Sequence, residues 1–290
     1  MTETPSPSEE IADVAKRLRT AVEIQALLRD EPLSAPSAAL APLRAPGPAR
    51  SAGSSAVPSP APKPAAPPRP APAAHVEEAP SLSAVEPAAM VAAPWRGDPS
   101  RCNSLGELHD AYAECQRCGL GKTRTKFVFG VGNPHAKVVF VGEAPGRDED
   151  LQGEPFVGAA GQLLNKILAA IDFKREDIYI ANILKCRPPG NRNPEPIEIA
   201  SCEPILRRQI EVIQPLILCT LGSFAAKTML GATEGISRLR GRVHEYRGIP
   251  LIPTFHPAAL LRNPAWKQPT WEDVQLLRRE YDRLVAAQRD

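Results

Sequence analysis

Four cysteines of this chain have a spacing that metal ligands could use. Cys115 and Cys118 form a C-x2-C pair, and Cys186 and Cys202 follow after gaps of 67 and 15 residues. Two thiolates separated by two residues can bind one metal centre, and two more complete four ligands if the fold brings them together. Zinc and an iron–sulfur cluster suit four thiolates equally, and four unrelated buried cysteines remain an open alternative.

An acidic, glycine-rich turn is the second feature with chemical potential. The segment GEAPGRDEDLQGEPFVG, residues 142–158, follows the apolar run VVFV directly. Glycine-rich turns after strands usually bind phosphate through backbone N–H groups, but the five acidic side chains here would repel one. The Gly-Lys-Ser/Thr sequence of a Walker-type phosphate loop is also absent from this turn.

The elements that must position these residues alternate along the chain. Four short apolar runs, at 137–142, 178–184, 215–222 and 250–255, are separated by longer segments with helical periodicity. This alternation predicts an α/β fold, a three-layer α/β/α sandwich around a central, mainly parallel four-stranded sheet. In such sheets sites form at the carboxyl ends of the strands, which is where GEAPG, KCRPPGNRNP and HPAALLRNP follow.

The first hundred residues have a different composition. Residues 31–101 form a predicted Pro/Ala-rich disordered linker, because 31–100 hold 17 of the 33 prolines and 20 alanines with few bulky apolar side chains. Residues 1–30 are predicted to contain an amphipathic helix, which either docks on its own domain or binds a partner protein. Residues 102–290 are then predicted to form one globular domain, within the usual size range of domains.

Charge and hydropathy limit the compartment and the partners. Residues 101–290 carry 26 basic and 22 acidic side chains, which permits an anionic partner without requiring one. Without an apolar span or a signal-peptide pattern, the expectation is a cytoplasmic protein, of bacterial, nucleoid-associated type, with no membrane partner. Disulfides are not expected there; Cys219 is predicted to pack in the core and Cys102 to have no ligand role.

Three long motifs together carry a resemblance to a known family. GEAPGRDEDLQGEPFVGAAGQLL, ANILKCRPPGNRNP and FHPAALLRNP, with the four cysteines at their intervals, closely resemble the family 4 uracil-DNA glycosylases, the thermostable-type, iron–sulfur members of that superfamily. The resemblance covers about residues 104–288. It implies hydrolysis of the N-glycosidic bond between uracil and deoxyribose in DNA, and a [4Fe–4S] cluster held by Cys115, Cys118, Cys186 and Cys202.

The residues can be tested against the need to extrude a base, stack on its face and read its edge. Phe156 is the expected stacking platform. Asn182 can donate to uracil O4 and accept from N3–H, which cytosine does not allow. His256 can donate to uracil O2 as the leaving base becomes anionic.

The rest of the expected pocket comes from the acidic turn. Glu143, Ala144 and Pro145 are predicted to line it, with Glu149 crowding the C5 edge against a thymine methyl group. Ala144 departs from the better-known uracil glycosylases, which have a water-orienting aspartate there. Glu143, Asn182 or a backbone carbonyl is then left to hold the attacking water, or the sugar reacts with loosely held solvent.

The expected partner is uracil-containing DNA, single- or double-stranded, bound by a monomer. Leu260 or Leu261 is predicted to wedge into the duplex, and Arg262 to meet a phosphate. Basic residues near the cysteines could add a DNA-binding surface: Lys122, Arg124, Lys126, Arg187 and Arg192. Two rival functions stay open at this point: a nucleotide hydrolase or transferase, and a catalytically weak or inactive uracil-DNA binding protein.

Overall fold

The computed structural model describes residues 98–289. The predicted helix at 1–30 and most of the predicted linker lie outside these residues. Residues 98–101, which the sequence analysis assigned to the linker, belong to the folded part: Pro99–Arg101 form a 3-10 turn with Pro99 buried. Asp98 caps this turn by accepting a hydrogen bond from the Ser100 N–H at 3.0 Å.

A mixed sheet of six strands forms the centre of the fold. In chain order the strands are β1 Val131–Gly132, β2 Val138–Gly142, β3 Tyr179–Asn182, β4 Ile217–Leu221, β5 His244–Tyr246 and β6 Ile249–Thr254. Their spatial order is β1-β3-β2-β4-β6-β5. The four central strands are parallel, as the apolar runs predicted, and two antiparallel edge strands bring the count from four to six.

The two extra strands carry little sequence signal. Strand β1 has only two residues, and β5 has the sequence His-Glu-Tyr, which is polar and half-exposed. Apolar runs mark strands that are buried on both faces, so the edges of a sheet escape that pattern. The two edge strands extend the sheet at its sides, whereas the residues of the pocket follow central strands.

Helices cover both faces of the sheet. They are α1 Leu105–Tyr112, α2 Arg147–Gln152, α3 Ala159–Ala170, α4 Pro196–Ile213, α5 Ser223–Leu230, α6 Ile236–Leu239, α7 Pro257–Arg262 and α8 Lys267–Ala287. Buried residues of α1, α4 and α5 pack on one face, and those of α3, α7 and α8 on the other. The α/β/α sandwich is therefore confirmed. Within residues 98–289 no helix is long and apolar enough to span a bilayer.

The strand register brings the acidic turn beside the second motif. Gly142, the last residue of β2, pairs with Asn182, the last residue of β3. Strand β6 ends at Thr254, two residues before His256. The carboxyl ends of parallel strands meet at one edge of the sheet, so three separate motifs converge there.

Candidate active site

A cavity of about 380 Å³ opens at this edge of the sheet. Its size is that of a pocket for a small ligand, and its walls come from segments far apart in the sequence. The lining residues are Glu143, Ala144, Pro145, Gly146, Glu149, Phe156, Ala160, Asn182, Pro188, Asn191, Arg192, Asn193, His256, Ala258 and Arg262. All seven residues predicted to bind the base are among them.

Asn182 presents an unpaired carboxamide to this cavity. Its side chain is 1% exposed, and neither Nδ2 nor Oδ1 has a hydrogen-bond partner within residues 98–289. Leaving a buried donor and acceptor unpaired costs about 1–3 kcal/mol per group. A polar ligand that both accepts and donates at adjacent atoms would recover this cost.

Phe156 is held in an uncommon backbone conformation. Its φ angle is +55°, a left-handed value that a bulky residue rarely adopts. Gly161 of α3 lies so close to the Phe156 backbone that a Cβ at position 161 would overlap it. The ring stacks on the His256 imidazole with centroids 5.4 Å apart, and it is 6% exposed. The aromatic wall is therefore positioned by packing before any ligand arrives.

Gly142 is a site residue that sequence reasoning missed. A Cβ at this position would come within 2.7 Å of the Phe156 ring and would overlap Asn182 Oδ1. The φ angle of Gly142 is one that other residues can adopt, so glycine is required here only because there is no space for a side chain. A glycine that ends a buried strand immediately before a predicted site was the available signal.

We expect Gly142→Ala to reduce uracil release by about 10²-fold, because the methyl group displaces the carboxamide or the ring, and misplacement of about 1 Å has effects of this size. Gly235→Ala is the matched control, since a Cβ there meets nothing within 4 Å and the φ angle of Gly235 is −71°. Thermal melting of both variants should be compared. A Gly142→Ala enzyme with wild-type rates would contradict the tight packing described here.

His256 is held as a neutral imidazole of one tautomer. Its Nδ1 accepts a hydrogen bond from the Ala258 backbone N–H at 3.1 Å, at the start of α7. Because Nδ1 is an acceptor, the ring proton lies on Nε2. Burial, with a smaller contribution from Arg262, lowers the pKa of His256 to about 4. Near neutral pH this residue is an uncharged donor.

The Glu149 carboxylate is engaged in holding the acidic turn. Its Oε1 accepts from the N–H groups of Val157 at 2.9 Å and Gly158 at 3.0 Å, and its Oε2 accepts from Gly146 N–H at 3.1 Å. These bonds join the start of α2 to the start of α3 across the Phe156 segment. Glu149 lies in the lining of the cavity, and its predicted contact to the base stays a prediction. The structure adds this positioning role, which the sequence did not indicate.

Glu143 is the acidic residue of the turn that remains in the pocket without such a network. It is half-buried, and burial raises the pKa of its carboxyl. Its backbone C=O accepts from Leu184 N–H at 3.0 Å, which ties the turn to the segment after β3. Ala144 and Pro145 follow it in the wall of the cavity.

The four predicted cysteine ligands belong to one region of the hydrophobic core, with Cys118 at its half-buried edge, and are called the cysteine cluster. Burial raises the pKa of Cys186 to about 11 and that of Cys202 to about 12, and neighbouring cysteines add to both shifts. Cys115 is also buried, and Cys118 is half-buried. Within residues 98–289 no three His, Cys, Asp or Glu side chains are arranged to hold a single metal ion.

Two cations border this cysteine cluster. The Arg124 guanidinium donates to Cys186 Sγ at 3.4 Å and to the Ala113 carbonyl at 2.8 Å. Lys185 is 0% exposed, and its backbone N–H donates to Cys202 Sγ at 3.3 Å. Arg124 is half-buried, and burial lowers the pKa of Lys185 to about 7. Basic groups beside buried thiols are expected where the thiols become anionic ligands.

Lys185 also reaches toward the pocket. Its Nζ donates to the Asn182 backbone carbonyl at 2.9 Å and to Gln209 Oε1 at 2.6 Å. Gln209 in turn donates to the Tyr179 hydroxyl and the Phe129 carbonyl, each at 3.0 Å. This buried network connects the cysteine-bearing segment to the backbone of Asn182, and sequence reasoning missed it.

One of the two predicted wedge residues is excluded by burial. Leu260 is 0% exposed and packs in the core against α3, so it cannot enter a DNA duplex. Leu261 is 51% exposed, and Arg262 is exposed at the mouth of the cavity. The wedge prediction therefore narrows to Leu261.

Fewer of the predicted basic side chains are free to contact DNA than the sequence indicated. Arg124 is directed inward to the cysteine segment, and Arg192 pairs with the buried Glu198 at 2.9 and 2.6 Å. Arg187 donates to Asn191 Oδ1 at 2.8 Å. Lys122 and Lys126 are exposed. Most of these cations thus order the loops, which the sequence could not distinguish from contacts to a phosphate.

Fold and pocket define a class of protein: an α/β sandwich with a pocket of polar and aromatic residues at the carboxyl edge of its sheet. The family model described as the uracil DNA glycosylase superfamily matches residues 129–275. A type-4 uracil-DNA glycosylase of Archaeoglobus fulgidus is 48% identical over 173 residues, 57% of this chain and 87% of the relative. Those of Saccharolobus solfataricus and Thermotoga maritima are 43% and 46% identical, over 60% and 52% of this chain and 84% and 79% of their own.

This chain belongs to the uracil DNA glycosylase superfamily, and within it to the type-4 uracil-DNA glycosylases.

Proposed function

We propose that this chain extrudes uracil from DNA and hydrolyses its N-glycosidic bond, which releases free uracil and leaves an abasic site for base excision repair. The unpaired carboxamide of Asn182 carries this proposal. Its Nδ2 can donate to uracil O4 and its Oδ1 can accept from N3–H, so uracil pairs both buried atoms. Cytosine offers the opposite donors and acceptors, so it would leave both unpaired in this orientation and would pair only with the carboxamide turned over.

The aromatic wall and His256 act on the same base. Phe156 covers one face of the uracil ring. Because its backbone conformation is already fixed, little conformational freedom is lost when the base binds. As the glycosidic bond breaks, negative charge develops on uracil O2, and the Nε2–H of neutral His256 donates to it. This contribution grows only toward the transition state, so it raises the rate of the chemical step.

Glu143 is proposed to hold the attacking water. Ala144 cannot accept or donate through its side chain, whereas the half-buried Glu143 carboxylate lines the cavity and has a raised pKa. A more basic carboxylate is a stronger acceptor from water, and its negative charge favours an oxocarbenium-like sugar. The proton of the attacking water passes to this carboxylate as the new C–O bond forms.

A single-turnover assay tests the function. Enzyme in excess is mixed with an oligonucleotide that contains one uracil, in single- and double-stranded form, and free uracil and abasic sites are measured together. Equal yields of both products are expected from each substrate. Tight binding without release would identify a uracil-DNA binding protein instead, and the same strand with thymine is the specificity control.

We further propose a [4Fe–4S] cluster as cofactor, ligated by Cys115, Cys118, Cys186 and Cys202. Four thiols without carboxylates suit an iron–sulfur cluster or a zinc ion equally. The spacing of the four cysteines resembles that of the iron–sulfur members of the superfamily, and this resemblance supports the cluster. When bound, it would join the Cys115 loop, the segment after β3 and α4 by iron–thiolate bonds.

Anaerobically purified protein is expected to be brown, with a broad absorbance near 400 nm and about four iron atoms per chain. Cys186→Ala should lose iron and soluble yield, because cluster binding is coupled to folding. Cys102→Ala is the matched control and should keep both, since that half-buried cysteine lies outside the ligand set. One zinc and no iron in the wild type would contradict the assignment.

The remaining predictions concern partners. We propose that the domain acts as a monomer on uracil-containing DNA, with Leu261 and Arg262 at the DNA surface. A protein partner for residues 1–30 stays a prediction, because those residues lie outside the described part of the chain.

A further inference from the structure

Several large apolar side chains are exposed on segments that follow the strands of the pocket. Among residues 98–289 they are Leu151, Ile197, Val243, Leu261 and Trp266. Four of the five lie on segments that follow β2, β3 or β6, the strands that also carry the pocket. Exposed large apolar side chains can mark a surface that a partner covers. The aromatic member, Trp266, has the most specific surroundings.

Trp266 is part of a rigid aromatic stack. Its ring lies 4.9 Å from the buried Phe255 ring, with 3° between the planes, and Trp266 is still 38% exposed. The Arg240 guanidinium lies 5.8 Å from the Phe255 centroid and is fixed by Asp273 Oδ2 at 2.9 Å. One indole face is covered by Phe255, so the exposed area belongs to the opposite face and the ring edge. The indole is a flat apolar surface held in place in advance.

The stack is close along the chain to residues that line the uracil pocket. Phe255 immediately precedes His256, and helix α7 leads from His256 to the exposed pair Leu261 and Arg262. Asn263 then caps the short turn Pro264–Trp266 by accepting from Ala265 N–H at 3.2 Å. Trp266 therefore follows Arg262, a residue of the cavity lining, by four positions.

We propose that Trp266 is a stacking platform for a nucleobase of the uracil-bearing strand, adjacent to the extruded nucleotide. The proposal rests on the function proposed above. Every base has a π face, so such a platform binds without sequence preference and strengthens binding about fivefold or more per base. A duplex keeps its neighbouring bases stacked on each other, so the contribution is larger for single-stranded DNA. Phe156 stacks on the extruded base, and Trp266 stacks on a neighbouring base of the same strand.

The test measures binding separately from chemistry. A single-stranded oligonucleotide with one 2′-fluoro-2′-deoxyuridine, which resists cleavage because fluorine disfavours positive charge on the sugar, reports Kd. Trp266→Ala should weaken Kd about fivefold or more, the lower end of the stacking contribution. Trp266→Phe should stay within about twofold of the wild type. The rate constant for uracil release at saturating enzyme should be the same in all three proteins.

Tryptophan fluorescence supplies a readout that a purely structural role would not change. Stacking on a base quenches indole fluorescence. DNA should therefore quench the fluorescence of the wild type and of Trp271→Phe, whereas the part of the quenching that comes from Trp266 should be absent in Trp266→Phe. Trp271 is the matched control, since it packs beside the core on α8. Unchanged Kd in Trp266→Ala, or full quenching in Trp266→Phe, would overturn the proposal. If the wild type releases no uracil but Trp266→Ala still weakens binding, the proposed function fails and the platform stands.

Discussion

Asn182→Asp is expected to lower the single-turnover rate of uracil release by about 10³–10⁴-fold. The ionised carboxylate has no donor for uracil O4 and repels that oxygen. A site built to hydrogen-bond its substrate discriminates by factors of this size when one partner is wrong, because its buried polar atoms are left unpaired. Asn182 has no other partner among the described residues, so no alternative contact compensates.

The same variant should acquire weak activity on cytosine at low pH. A protonated aspartate can accept from cytosine N4–H with one oxygen and donate to N3 with the other. Burial raises the pKa of a carboxyl group, so the protonated form gains population as the pH falls from 8 to 5. Cytosine release that rises over this range, measured with a cytosine-containing oligonucleotide, is the expected result.

Asn133→Asp is the matched control for both measurements. It makes the same chemical change on a turn after β1, where Asn133 Oδ1 accepts from His135 N–H at 2.9 Å and an aspartate oxygen can do the same. Wild-type rates are expected for this control. A comparable loss in both variants would mean that added negative charge, rather than base recognition, explains the effect at Asn182.

His256→Ala is expected to lower the rate of uracil release by about 10²–10³-fold and to leave DNA affinity almost unchanged. The hydrogen bond from Nε2–H strengthens only as charge develops on uracil O2, and removing one such donor costs this much in comparable sites. Single-turnover conditions are needed so that slow release of the abasic product does not mask the chemical step. His135→Ala, at an exposed position, is the control.

The pH dependence gives an independent check on His256. Its pKa of about 4 lies below the ordinary value of 6.5, so the neutral donor is present throughout pH 5–8 and its ionisation should not shape the rate there. The contribution of this neutral, buried form to folding stability is present above pH 6.5 and is lost as the pH falls through about 4. Weaker DNA binding in His256→Ala with an unchanged rate constant would instead make this residue a DNA contact.

The local sequence was sufficient to predict the four central strands of the sheet and residues that line the pocket. The four apolar runs became β2, β3, β4 and β6 because continuous burial on both faces requires continuous apolar side chains. The carboxyl-edge rule then located the pocket, since strand direction in an α/β sheet follows from the order of elements. The polar edge strands were missed because a half-exposed strand has no such requirement.

Tertiary structure decided what each side chain at that edge has as its partner. Leu260 and Leu261 are adjacent and chemically alike, and only the rotation of α7 against α3 buries one and exposes the other. The Nε2–H tautomer of His256 and the unpaired atoms of Asn182 depend on contacts between residues distant in the chain, as does the Lys185 amine beside Asn182. Residue type and spacing indicate which groups can bind a base; hydrogen bonds are short and directional, so only the folded arrangement determines which groups remain free to do it.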